Sequence, residues 1–143
     1  MDLTDRDLFL ELLRQGHRAT LRASGLSMLP AIWPGSTVVL APPPFEPPLA
    51  PGDVLLTLHA DRLRLHRLIA ISRPNLYQTK GDSLLRPDPL IDGTQVLGRV
   101  VQLNGRDHER PLARAVDRLR ATTSAARWRL ARSVARTLRP RVT

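Results

Sequence analysis

Asp53-Val54-Leu55-Leu56-Thr57-Leu58-His59, Ala60-Asp61 and Arg62-Leu63-Arg64-Leu65-His66-Arg67-Leu68-Ile69-Ala70-Ile71 form the stretch on which the fold turns. The two runs flank Ala60-Asp61 and read as a β-hairpin, although that turn pair lacks the glycine that a tight type I′ loop prefers. In the second run Leu63 and Leu65 share one face while Arg62, Arg64 and His66 share the other, so the imidazole is expected to leave the core side.

Working upstream, six of the ten residues from Pro42 to Pro51 are proline, an extended connection that cannot be a central strand. Ser36 to Leu40 reads as a strand entered through the Pro34-Gly35 turn, and His17 to Ser24 as another. Between them Gly25-Leu26-Ser27-Met28-Leu29-Pro30 breaks the alternation. Thr4 to Gln15 places Leu8, Phe9 and Leu12 at helical spacing, with Thr4 as N-cap and Gly16 as a stop. Downstream, Asn75 to Thr79 and Thr94 to Leu103 are two more strands, separated by a polar loop from Lys80 to Gly93. Six short strands and one leading helix predict a small, mostly antiparallel β-domain over residues 1–104. Beyond Gly105 the periodicity becomes helical, giving a basic tail over residues 105–143.

The net charge of +9 would suggest nucleic acid if it were evenly spread. Instead residues 1–104 carry 11 basic and 10 acidic side chains, and residues 105–143 carry 11 and 3. With one tyrosine, two phenylalanines and two tryptophans there is little stacking surface for single strands, and no glycine-rich phosphate loop is present, so nucleic acid ranks lowest among the partners. The absence of cysteine closes thiolate chemistry and disulfides. His17, His59 and His108 have no carboxylate spacing of a metal site, so neither metal nor cofactor is expected. No apolar run approaches the roughly 20 residues of a membrane-spanning helix, and the N-terminus is acidic, which predicts a cytoplasmic protein.

Taken alone, Ser27 reads as a turn serine. The same holds for Asp82 and Asp88, which read as turn aspartates capping local backbone. Their order with other landmarks changes the reading: Ser27-Met28-Leu29-Pro30, then Pro51-Gly52-Asp53 opening a strand, His66-Arg67 inside the next, then Thr79-Lys80-Gly81-Asp82 and Asp88. That succession, covering roughly Arg18 to Val101, resembles the signal peptidase I family, within the superfamily that also holds the LexA-like self-cleaving repressors. The resemblance implies a β-fold of signal-peptidase type, with Ser27 as nucleophile. It is closest to the histidine-type, endoplasmic-reticulum and archaeal-like branch, which has histidine where the bacterial branch has a lysine base. Lys80, the one lysine, falls in the lysine-glycine-aspartate motif and leaves no lysine over for that task. The branch's acidic residue six positions after that aspartate maps onto Asp88, with Asp82 as the alternative orienter.

The chemistry of the side chains agrees: serine needs a base within hydrogen-bond reach, itself held in one tautomer by a third group. The expected activity is a serine endopeptidase cutting a precursor or leader peptide, and the competing reading is an inactive peptide-binding or membrane-associated module on the same fold. A peptide substrate is expected to add as a strand along an exposed sheet edge. Leu112, Val116, Leu119, Thr123, Ala126, Leu130, Val134 and Leu138 form the apolar stripe of the tail, opposite a row of arginines. Two roles for it stay open, packing on the β-domain or peripheral contact with anionic membrane in place of the family's anchor.

Overall fold

The computed structural model describes residues 3–108; the side chains of residues 3–5 and everything from residue 109 onward, including the predicted tail helix, lie outside what is described. Helix α1 (Leu3–Arg14) leads into a mostly antiparallel β-domain of strands β1 (Ala19–Arg22), β2 (Thr37–Ala41), β3 (Val54–His59), β4 (Arg62–Arg73), β5 (Leu76–Lys80), β6 (Ile91–Asp92), β7 (Val96–Leu103) and β8 (Arg106–Asp107). The strands lie in the order β1-β2-β7-β3-β4-β5-β6, with β8 paired to β7. None of the described helices is long and apolar enough to cross a membrane.

Local chemistry accounts for most of these elements. Helix α1 ends where Gly16, at φ +84°, donates to Leu13 and His17 donates to Leu12, the paired capping bonds that a left-handed residue allows. Its buried face is Phe9, Leu10 and Leu13, not the Leu8–Phe9–Leu12 stripe of the sequence reading, since Leu8 remains 62% exposed. At the β3–β4 turn Ala60 and Asp61 both take positive φ, +47° and +61°. The hairpin therefore adopts the primed geometry without a glycine. Asn104 and Gly105, at φ +50° and +78°, make the same kind of turn into β8, so strand pairing runs past the point where a helical pattern was expected.

The sheet is covered on two sides. Phe9, Leu13, Met28, Ile32, Val38, Leu40, Val54, Leu56 and Val100 form the larger core, against which Leu63 and Leu65 pack. Leu55, Leu68, Ile91 and Val96 form a second, with Phe45, Leu49 and Tyr77. The proline-rich connection is pinned over this second side by Arg99 of β7, which donates to the carbonyls of Glu46 and Pro47 and lies over the Phe45 ring.

Strand β4 is the element that positions the site. Residues Arg62 to Arg67 pair with His59 to Val54 of β3 on one edge. On the other edge β5 takes only Arg67 to Arg73. Among the described residues no strand pairs with the outer edge of residues 62–66.

Candidate active site

The 24–36 loop carries Ser27 because its neighbours are anchored. Met28 and Ile32 are buried, Ile32 N–H donates to the Met28 carbonyl, and the loop's ends are tied by Ala23–Ser36 and Gly35–Ala23 backbone bonds. Ser27 thus sits half-buried between an exposed Leu26 and a core methionine. Opposite, the backbone N–H of Ser83 donates to the Ser27 carbonyl at 3.0 Å, and Ser83 Oγ donates to the Leu26 carbonyl at 2.8 Å. The glycine between Lys80 and Asp82 is required by this approach: a Cβ at Gly81 would stand 2.7 Å from the Ser27 carbonyl oxygen.

His66 reaches this loop from the outer half of β4. Its register partner is Leu55 of the second core, so the imidazole leaves the Leu63–Leu65 face as expected. It is not left in open solvent: held between Ser27 and Asp88, His66 is only 6% exposed. Its Nε2 lies 3.2 Å from Ser27 Oγ and its Nδ1 2.6 Å from Asp88 Oδ2. Asp88 is held in turn by its own backbone N–H on the Thr79 carbonyl, by Thr79 Oγ1 donating to Oδ2 at 2.7 Å, and by Arg64 Nη1 donating to Oδ1 at 3.2 Å. Burial pushes the Asp88 carboxyl up, but the hydrogen bonds from His66 and Thr79 and the charges of His66 and Arg64 outweigh it and hold the group below its ordinary value. An ionised Asp88 accepts only, so Nδ1 carries the proton and Nε2 presents its lone pair to Ser27.

Asp82 has a different partner. Arg67 Nε and Nη2 donate to its two oxygens at 2.8 and 2.7 Å, and Nη1 donates to the Gly52 carbonyl at 2.9 Å. Lys80 is likewise buried and donates to the Gly81 carbonyl at 2.9 Å and to that of Leu84. Both residues of the lysine-glycine-aspartate motif therefore hold the loop that clamps Ser27, while Ser27, His66 and Asp88 stand in line. Sequence reasoning assigned no role to Thr79, Arg64 or Arg67. For Arg67 a signal existed: in the period-2 pattern it falls on the Leu63–Leu65 face, where a cation requires a buried partner. Asp92 caps the short 3-10 turn at Gly93–Gln95, accepting from Thr94 N–H, and is structural.

A cavity of about 780 Å³ opens beside Ser27 and His66. One wall is Leu21 to Gly25, the other Leu63 to His66, and Met28, Ile32 and Leu56 lie between them. Among the described residues no group of three or more histidine, cysteine or acidic side chains could hold a metal ion. Comparison of the chain with family models, with curated proteins and with solved structures finds no match.

Proposed function

We propose that this chain is a serine endopeptidase of signal-peptidase type in which Ser27 attacks a peptide carbonyl with His66 as base and Asp88 as its orienter. One observation carries the reading: Ser27 Oγ, His66 Nε2 and Nδ1, and Asp88 Oδ2 form a continuous chain at 3.2 and 2.6 Å. That is the contact pattern an activated serine needs. The order of motifs that resembles the histidine-type branch supports the same assignment.

In the proposed reaction Nε2 takes the Oγ proton as the Oγ–carbon bond forms. The resulting imidazolium is stabilised by Asp88. Oxyanion charge then develops close to the Ser27 backbone N–H, for which no described residue provides an acceptor. Nε2 passes its proton to the departing amine as the C–N bond breaks, leaving an acyl-enzyme. Water, deprotonated by the same nitrogen, releases the acid and restores Ser27. An extended substrate fits between the Leu21–Gly25 wall and the outer edge of residues 62–66, where main-chain pairing would hold it and side chains on one face would enter the cavity.

The test is incubation of the full chain with a peptide library made by digesting a proteome, with new N-termini read by mass spectrometry. The expected result is a set of cleavages at a shared residue pattern that vanishes with Ser27→Ala. Cleavage that persists in Ser27→Ala would rule out Ser27 as the nucleophile, and no cleavage at all by folded protein would leave a binding module on this fold.

A further inference from the structure

Among the described residues, the charged side chains that line the cavity are all arginines. Its floor is apolar, formed by Met28, Ile32, Leu56 and Leu65, while Arg6 of α1, Arg22 at the end of β1 and Arg64 of β4 line it, and no described aspartate or glutamate does, although Arg64 is ion-paired with Asp88 just behind it. The composition of the surrounding protein does not produce this excess, because residues 1–104 hold 11 basic and 10 acidic side chains. The three arginines arrive from three different elements. Arg64 donates to Asp88 through Nη1 at 3.2 Å, and Arg6 Nη2 donates to the Asp61 carbonyl at 2.9 Å. Arg22 is exposed and makes no ion pair among the described residues.

We propose that the segment seated in this cavity is acidic: apolar side chains meet the floor, and one or more carboxylates lie at the mouth against Arg22 and Arg6. The proposal rests on the peptidase reading and names its substrate class. A guanidinium presents a fork of donors that matches a carboxylate, and a cleft with apolar walls concentrates the field of charges at its rim. The chain's own C-terminal stretch has the wrong chemistry for the place, since residues 109–143 carry ten arginines and two carboxylates. An acidic segment of another polypeptide is the occupant that fits this charge pattern.

The test uses fluorescence-quenched peptides of one framework in which Asp, Asn or Lys is placed in turn at each position around a fixed apolar segment. Hydrolysis is measured with the full chain and binding with its Ser27→Ala variant. At one or two positions Asp should lower KM about tenfold against Asn with kcat unchanged, a contrast within reach of a charge-assisted pair. The contrast should shrink at about 0.5 M salt, where exposed charges are screened. Arg22→Glu should abolish it and favour Lys. Equal KM and equal binding for Asp, Asn and Lys would overturn the proposal, whereas cleavage without charge preference would overturn it and leave the peptidase standing. If no peptide is cut but the Ser27→Ala protein still prefers Asp and Arg22→Glu reverses that preference, the acidic site stands and the peptidase reading falls.

Discussion

Asp88 oxygens receive three side chains at once, His66, Thr79 and Arg64, and this sets what each substitution should do. Asp88→Asn keeps the shape but replaces an acceptor with a group that can donate, allowing the imidazole to take the wrong tautomer. On the proposed mechanism kcat should fall by about 10³–10⁴ while KM changes little, as steady-state kinetics on one peptide would show. Thr79→Val removes one of the two donors on Oδ2 and should cost far less. The folded-state pKa of Asp88 is depressed, so its contribution to stability is present above the unfolded carboxylate value near 3.9 and is lost as pH falls through the lower folded value. Consequently the gap in unfolding free energy between the native chain and Asp88→Asn should be widest near neutrality and close in acid. Urea melts across that range would measure it, and a gap that grew below pH 4 would contradict the assignment.

At the scale of elements, the site depends on two loops pressed together, and Gly81 is the point of contact. Its missing Cβ leaves room for the Ser27 carbonyl, a backbone atom that cannot swing aside. On the proposed mechanism, Gly81→Ala should therefore lower kcat at least about tenfold by displacing Ser27, a small misplacement with a large kinetic effect. The Arg67–Asp82 pair holds the same loop from the far side. Removing the carboxylate with Asp82→Ala strips the bidentate partner from a fully buried guanidinium and should cost about 3–5 kcal/mol in a denaturant melt. How much of this was legible follows from what periodicity can express. Alternation at Leu63, Leu65 and His66 gave the hairpin and the face of the imidazole, because those depend on neighbours along one strand. The burial of His66, the Arg67–Asp82 pair and the division of labour between Asp82 and Asp88 depend on which strands lie side by side, which no local pattern encodes. Helix α1 shows the same limit: Leu8 and Phe9 are adjacent apolar residues, and only the position of the sheet decides that Phe9, with Leu10 and Leu13, turns inward.

For the whole molecule, the described residues 3–108 form two cores and the serine–histidine–aspartate line. If these residues fold on their own, a chain ending after His108 should keep its melting temperature within a few degrees and cut soluble peptides at the full-length rate. If the arginine-rich stretch beyond it tethers the protein to anionic lipid, as its charge suggests, that truncation should abolish co-sedimentation with anionic vesicles at low salt. A large fall in melting temperature would instead assign the stretch to packing on the β-domain.

The central claim is that Ser27 is activated by His66, and covalent labelling tests it most directly. A serine-reactive phosphonate incubated with the folded chain, followed by peptide mapping, should add one phosphonyl group at Ser27. The labelling should disappear in Ser27→Ala, fall steeply in His66→Ala and fall less in Lys80→Ala. Folded protein that takes up no label, or labelling that survives His66→Ala and is lost in Lys80→Ala, would contradict the account.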